Sequence, residues 1–125
     1  MVLSPNNCPY CGHRRTKVAF SDEGIRHDEG KPRFDLLPGD ALFEIVKVFT
    51  QGAKKYEERN WEKGMRWGKH YAAMQRHLWK WWNGSSVDEE SGLNHLAHAA
   101  FGCLALLAYE LRKVGEDDRP GKEMP

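Results

Sequence analysis

The sequence predicts an all-α chain that folds as a helical bundle. Three segments carry apolar residues at the three- and four-residue spacing of amphipathic helices, and glycine-containing connections separate them. No segment shows the alternation of apolar and polar residues that indicates a strand. With 125 residues, the chain is long enough for one hydrophobic core. We therefore predict a helical domain at 22–115, an N-terminal arm at 1–21 and a flexible polar tail at 116–125.

The three helices can be placed from their apolar spacing. The first covers about 41–58, with Asp40 as a suitable N-cap because its carboxylate can accept hydrogen bonds from the first free amides. The second covers about 69–82 and ends at the glycine–serine turn that follows Asn83. The third covers about 89–113. Its spacing predicts one buried face, formed by Leu93, Leu96, Ala97, Ala100, Leu104, Leu107 and Leu111.

Composition and charge narrow the class of protein. The formal net charge is +1, so no overall electrostatic attraction to nucleic acid is expected, and no apolar run is long enough to span a membrane. Three cysteines and no basic-then-apolar leader fit a protein of the reducing cytoplasm. Wide apolar faces, which include Trp79, Trp81 and Trp82, predict a homo-oligomer, either a dimer or a tetramer.

A separate motif lies in the N-terminal arm, where Cys8 and Cys11 flank a short turn. Two thiols at this spacing provide half of a tetrahedral zinc site, since such a site needs four ligands. His13, His27 or another subunit could add ligands, and an arm without metal is an equally good interpretation. A zinc-binding arm beside Arg14 and Arg15 would make the protein a nucleic-acid binder, which the near-neutral charge disfavours.

The densest group of chemically active side chains lies at the start of the third predicted helix. Asp88, Glu89 and Glu90 precede His95 and His98, which are three residues apart and so share one helical face. Carboxylates and imidazoles that converge at a helix N-terminus suit a divalent cation or acid–base chemistry. The alternative is a solvated acidic cap with two core histidines, as in a purely structural helical oligomer.

Five short motifs follow one another between about Arg26 and Leu111. They are Gly30-Lys31-Pro32-Arg33, Gly52-Ala53-Lys54-Lys55-Tyr56, Asn60-Trp61, Arg76-His77 and Asp88-x-Glu90-Ser91-Gly92-x-x-His95-x-x-His98-Ala99-Ala100. Their order and spacing resemble those of the phage-type dATP/dGTP diphosphohydrolases, which belong to the all-α MazG-like nucleotide pyrophosphohydrolases. Within that family the likeness is greatest to the MazZ-like members, which serve 2-aminoadenine synthesis in some phages.

The resemblance implies that a purine deoxynucleoside triphosphate is cleaved between its α- and β-phosphates. The substrate would be dGTP, with dATP as a second candidate, and the cofactor Mg²⁺ or Mn²⁺. The products would be the monophosphate, which feeds 2-aminoadenine nucleotide synthesis, and pyrophosphate. The usual MazG pattern places Glu-Glu-x-x-Glu on one helix and Glu-x-x-Asp on the next. The corresponding places here hold Gln75-Arg76-His77 and His95-x-x-His98.

Site residues can be assigned by chemistry. A triphosphate is highly charged, and metal ions held by carboxylates both offset that charge and activate water. The predicted metal ligands are Glu44, Asp88, Glu90 and His77. The predicted catalytic residues, which would transfer protons or complete the metal shell, are Glu90, His95 and His98. The predicted phosphate-binding residues are Lys31, Arg33, Lys54, Lys55 and Arg76. The residues predicted to frame the base, unless the tryptophans fold back onto the core, are Asn60, Trp61 and Trp67.

Overall fold

In a computed structural model the described residues are 23–122, and most of them are helical. Strand pairing within this part of the chain is limited to isolated bridges, so the prediction of an all-α chain is confirmed. No helix in the described range is both long and apolar enough to cross a membrane. The predicted cysteine motif at 1–21 lies outside the described residues. The helices are α1 (Gly39–Lys55), α2 (Trp67–Trp82) and α3 (His95–Arg112), with short 3-10 helices at Phe34–Leu36 and Asn60–Lys63.

The chain divides into two compact units, 1–42 and 43–125. In the described part of the first unit, the Lys31 amide donates to the Asp28 carbonyl at 3.1 Å and so closes a turn. Gly30 lies in that turn at a φ of 77°, a left-handed conformation that glycine adopts without a steric penalty.

Helix α1 starts two residues earlier than predicted, at Gly39. Asp40 therefore lies inside the first turn and is not the N-cap that the sequence predicts. Its Oδ1 accepts a hydrogen bond from the Ala41 amide at 2.7 Å. The earlier start follows from Pro38, whose carbonyl accepts the Leu42 amide at 2.9 Å and so closes the first helical turn.

Helices α2 and α3 pack antiparallel in the second unit, and small residues allow their backbones to approach closely. A Cβ built on Gly102 would lie 2.3 Å from Met74 Cγ and 3.5 Å from the His70 carbonyl. The buried residues of α3 are mostly small, and they are His95, Ala97, Ala99, Gly102, Ala105 and Tyr109. Ala97 of the predicted buried face is buried, but the prediction is wrong for four of its leucines, because Leu96, Leu104, Leu107 and Leu111 are 44%, 43%, 49% and 75% exposed. A close helix pair has room for alanine and glycine at its contact, but not for leucine.

The first residues of α2 are capped by the segment that follows α3. The Trp67 amide donates to the Glu116 carbonyl at 3.0 Å, and the Gly68 amide donates to Asp118 Oδ1 at 2.8 Å. The Trp67 indole Nε1 also donates to the Val114 carbonyl at 2.9 Å. These bonds satisfy amides that a helix N-terminus leaves free, so they fix where α2 begins. They lie partly in the stretch that the sequence predicts as a flexible tail.

Candidate active site

An open groove of 1230 Å³ lies in the second unit. Its walls come from the end of α1, the Asn60–Lys63 turn, one face of α2 and the loop at 88–91. Phe49 of α1 packs edge-on against Phe101 of α3, with ring centroids 4.8 Å apart, and so holds the end of α1 beside the helix pair. The groove therefore joins the regions in which most of the candidate site residues lie.

Three histidines meet where α2 and α3 face each other beside the groove. The rings of His77 and His98 stack in parallel, with an interplanar angle of 7° and centroids 4.4 Å apart. His77 Nδ1 lies 2.9 Å from His95 Nδ1, which is a hydrogen-bonding distance. The structure thus brings His77 to the two histidines that the sequence places on one face of α3.

Asp88 joins this cluster from a tight loop rather than from a helix. The Gly92 amide donates to the Asp88 carbonyl at 2.7 Å. Gly92 has a φ of 74°, a left-handed conformation that does not belong to an α-helix, so α3 cannot extend back through this residue. Asp88 Oδ2 accepts the Ser91 amide at 3.1 Å. The third helix consequently begins at His95 instead of about residue 89, and the acids precede it. A ring nitrogen of His77, a carboxylate oxygen of Asp88 and a ring nitrogen of His95 all lie within 4.8 Å of one another.

The electrostatics of the cluster favour a bound cation. Burial and the neighbouring His98 imidazole lower the pKa of His77 to about 4. Burial also lowers the pKa of His98. Burial alone would raise the pKa of Asp88, but hydrogen bonds from Ser91 and the nearby His98 hold that pKa below its ordinary value. Near neutral pH the cluster therefore presents two uncharged imidazoles beside an ionised carboxylate.

The donor chemistry of the cluster fits a divalent cation of borderline hardness. Imidazole nitrogen and carboxylate oxygen together suit Mn²⁺ and the later first-row metals, whereas Mg²⁺ prefers oxygen ligands. The side chain of Asp88 is 13% exposed, so its carboxylate lies largely out of bulk solvent. The residues that are present can accordingly hold a metal ion.

The other two predicted metal ligands, Glu90 and Glu44, are not among the three residues whose ligand atoms converge. Glu90 lies on the groove wall, but its side chain is 82% exposed and its Oε1 is 3.5 Å from Lys55 Nζ. Glu44 is not part of the groove wall. Its oxygens accept from Asn94 Nδ2 at 3.3 Å and from Lys47 Nζ at 3.0 Å. Glu44 is thus bound to other protein groups, and its contact with Asn94 connects α1 to the residue that precedes α3.

Basic residues line the groove along α2. Lys69, Arg76 and Lys80 are exposed and lie on the groove wall, and within 23–122 none of them forms an ion pair. Their spacing of seven and four residues keeps them on one helical face over roughly 16 Å. Of these three, the sequence analysis predicts only Arg76 as a phosphate contact.

The remaining predicted phosphate contacts lie in two places. Lys55 is on the groove wall and Lys54 is not. Lys31 and Arg33 belong to the first unit, where the Arg33 guanidinium is paired with Asp35 at 2.7 Å.

The predicted base-framing residues do not all line the groove. Asn60 and Trp61 line the groove, and the Trp61 ring packs edge-on against Phe49 with centroids 5.9 Å apart. The Trp67 indole, which binds the Val114 carbonyl, is also covered by the Arg119 guanidinium at 5.1 Å. Trp67 does not line the groove. The two tryptophans of one loop thus have different surroundings, which their similar sequence context did not reveal.

Sequence analysis missed three polar residues that organise the site. Ser85 Oγ contacts His95 Nε2 at 3.2 Å, and Ser91 Oγ contacts His98 Nε2 at 2.7 Å. Gln51 Nε2 donates to the Ser91 carbonyl at 3.1 Å. The Ser-Gly pair after Glu90 is a turn signal and could have identified Ser91, but nothing local distinguishes Gln51 from a solvated residue.

Fold and site together define an all-α protein with a histidine–carboxylate centre beside a groove lined by cations. The chain belongs to the dATP/dGTP diphosphohydrolase family, because the family model described as "dATP/dGTP diphosphohydrolase, N-terminal" matches residues 21–119. The predicted membership of that family is therefore confirmed.

A relative from Salmonella phage PMBT28, named dATP/dGTP diphosphohydrolase, shows how much of such a protein this chain represents. It is 31% identical over 96 residues, which make up 77% of this chain and 33% of the phage protein. The chain thus spans about a third of the length of this relative. No solved structure matches the chain.

Proposed function

We propose that this chain hydrolyses the purine deoxynucleoside triphosphates dGTP and dATP to the monophosphate and pyrophosphate, with a divalent cation as cofactor. The observation that carries the proposal is one groove that His77, Asp88 and His98 line together with three basic residues, none of which forms an ion pair in the described part of the chain. The family and the phage relative supply the substrate class. As in MazZ-like members, the dGMP product would serve 2-aminoadenine nucleotide synthesis in the cytoplasm of a phage-infected cell.

We assign His77 and Asp88 as the protein ligands of the cation, with Glu90 as a further carboxylate on the groove wall. This mixed set favours Mn²⁺ over Mg²⁺ because a nitrogen donor suits the softer ion. When bound, the cation offsets phosphate charge and lowers the pKa of a coordinated water molecule.

Phosphate binding is assigned to the basic residues of the groove. Lys69, Arg76 and Lys80 line the groove from α2, and none of them pairs with a carboxylate among residues 23–122. Guanidinium and ammonium groups donate charge-assisted hydrogen bonds to phosphate oxygens, and these bonds strengthen as charge moves onto the leaving pyrophosphate.

Proton transfer is assigned to His98 or Glu90, which line the groove together with His77 and Asp88. One of them takes a proton from the attacking water as its oxygen bonds to the α-phosphorus and the bond to the bridging oxygen breaks. The leaving group is pyrophosphate. Base contact is assigned to Asn60 and Trp61, which line the same groove.

The test is to incubate the purified full chain with each of the four deoxynucleoside triphosphates and either Mn²⁺ or Mg²⁺. We expect pyrophosphate and monophosphate from dGTP and dATP, faster with Mn²⁺, by product chromatography. Release of inorganic phosphate, or of free nucleoside with triphosphate, would refute the reaction. Pyrophosphate released mainly from pyrimidine nucleotides would refute only the substrate assignment.

We also propose that the chain forms a homo-oligomer through its exposed apolar residues. Leu107 and Leu111 on α3 are 49% and 75% exposed, and Trp82 on α2 is 75% exposed. Such side chains gain free energy when a second copy covers them. Light scattering should report a dimer or a tetramer, and a species of 14.4 kDa at micromolar concentration would contradict this.

A further inference from the structure

His95 is a central residue of the cluster, yet neither of its ring nitrogens is available to a ligand. The residue is 2% exposed. Its Nδ1 lies 2.9 Å from His77 Nδ1, and its Nε2 lies 3.2 Å from Ser85 Oγ. A residue whose two nitrogens are both engaged by protein atoms is better suited to orient a neighbour than to bind a metal or accept a proton from water.

The contact between His77 and His95 requires one hydrogen between the two Nδ1 atoms. Two N–H groups would repel each other at 2.9 Å, and so would two lone pairs. One Nδ1 must therefore donate and the other accept. Which of the two histidines is the donor sets the tautomer of both rings, because an uncharged imidazole carries a single N–H.

Ser85 determines the direction of the hydrogen bond between His77 and His95. Its hydroxyl donates to the Val87 carbonyl at 3.2 Å, and a carbonyl can only accept. Because the hydroxyl has one hydrogen, it offers a lone pair to His95, and His95 Nε2 is the donor in that contact. His95 Nδ1 then has no hydrogen and accepts from His77 Nδ1.

We propose that Ser85 and His95 form a relay that holds His77 in its Nδ1–H tautomer, so that His77 Nε2 keeps a lone pair. The tautomer follows from the hydrogen bonds alone. The role of that nitrogen as a metal ligand rests on the proposed function. His95 is then a positioning residue, and Ser85, which the sequence analysis does not assign to the site, acts on the metal ligand through His95.

The direct test is long-range proton–nitrogen NMR of the metal-free full chain with ¹⁵N-labelled histidine near neutral pH. We expect a protonated Nδ1 and an unprotonated Nε2 for His77, and the reverse for His95. The opposite pattern would refute the relay, whether or not the protein hydrolyses nucleotides. The expected pattern in a protein that hydrolyses no nucleotide would leave the relay standing and refute the proposed function.

Ser85→Ala tests whether the serine sets the direction. Without its acceptor, His95 can adopt either tautomer, so we expect both rings to lose their single pattern. Mn²⁺ alone, titrated by electron paramagnetic resonance, should bind 10–100-fold more weakly, the usual effect of losing an outer hydrogen-bond partner. Ser86→Ala is the matched control, since its hydroxyl makes no hydrogen bond within the described residues. Equal Mn²⁺ affinity in both variants and the wild type would overturn the role of Ser85.

Two substitutions of His95 separate positioning from direct ligation. The amide oxygen of His95→Asn lies near the position of Nδ1 and can still accept from His77, whereas His95→Leu offers no acceptor. We expect the asparagine variant to keep the His77 tautomer and most of its Mn²⁺ affinity, and the leucine variant to lose both. An equal loss of Mn²⁺ affinity in two folded variants would show that His95 itself holds the metal.

Discussion

Two histidines on α2, His70 and His77, are seven residues apart and both meet α3, but their surroundings differ. His70 is 7% exposed, and its Nε2 lies 3.1 Å from the Tyr109 hydroxyl. That hydroxyl in turn donates to the Trp61 carbonyl. His77 instead stacks on His98 and lies within reach of the Asp88 carboxylate. The same residue type on the same helical face thus forms a closed network at one end of the helix pair and a charged cluster at the other.

The difference that matters for function is one of charge. Burial lowers the pKa of His70 and raises the pKa of Tyr109, so both groups are uncharged near neutral pH. Their polar atoms are satisfied by each other and by a backbone carbonyl, which is what a structural network requires. The His77 cluster adds an ionised carboxylate that can stabilise a cation. The spacing of histidines alone therefore does not indicate a functional site. An ionised carboxylate next to the histidines does.

The largest expected effect is that of Asp88→Asn on turnover. The amide keeps the size of the side chain and an acceptor for Ser91 but removes the anionic oxygen that a cation prefers. Because losing an outer partner alone costs 10–100-fold, we expect kcat/KM for dGTP to fall by more than about 100-fold with little change in Tm. Glu89→Gln is the control, since Glu89 is exposed and has no hydrogen bond or ion pair within 23–122. If both variants retain wild-type turnover, the two histidine regions do not differ as argued.

Tyr109→Phe should have the opposite effect to Asp88→Asn, because it should lower stability more than turnover. Removing the hydroxyl leaves the Trp61 carbonyl and the His70 imidazole without a partner, which costs about 1–3 kcal/mol of unfolding free energy. Turnover at a temperature well below Tm should change far less than stability. Denaturant unfolding measures the effect, with Tyr71→Phe as a control because Tyr71 is 58% exposed. Equal stability of the two variants would show that the buried network contributes nothing.

Gly102→Ala tests whether the two regions depend on the same helix contact. The added methyl would lie 2.3 Å from Met74 Cγ, so α2 must shift or Met74 must change rotamer. Overpacking costs about 1–3 kcal/mol, of which the better helix propensity of alanine offsets about 1 kcal/mol. Gly52→Ala has no atom within 4 Å of its new methyl and should be stabilised by about 0.5–1 kcal/mol. Stabilisation of both variants would contradict the close contact.

The smallest expected effect is a dependence of stability on pH at the His70 end. The folded pKa of His70 is lowered, so the unfolded chain binds a proton first as the pH falls below 6.5. The contribution is complete above pH 6.5 and is lost as the pH falls towards the folded pKa. Urea unfolding of the metal-free chain at a series of pH values should show this loss, and His70→Gln should reduce the slope. Substitution of the exposed His27 is the control, and an unchanged slope in His70→Gln would refute the assignment.

Local patterns could predict the helices and several site residues. The apolar spacing predicts α2 to within two residues at its start, because side-chain periodicity and the terminating glycine are local properties. The spacing of His95 and His98 likewise places them on one face of α3. The chemistry of their side chains identified His77 and Asp88 as ligand candidates without reference to any contact.

Other features depended on contacts between distant parts of the chain. The start of α3 was predicted too early because the bonds that close the loop at 88–93 compete with the helical pattern, and their strength cannot be estimated from spacing. Alanine rather than leucine lies at the α2–α3 contact because Gly102 allows the helices to approach, and periodicity alone cannot tell which of two apolar faces is buried.

The sequence by itself determined the fold class, the family and the residue types available for chemistry, because periodicity, turn residues and motif order are carried by neighbours in the chain. Only the tertiary structure decided that His77 contacts His95, that Ser85 contacts His95 Nε2, and that the Trp67 indole binds the Val114 carbonyl instead of lining the groove. These pairings join residues 10 to 47 positions apart. Such contacts depend on how the helices pack, and packing is settled by the shapes of all the side chains at an interface together.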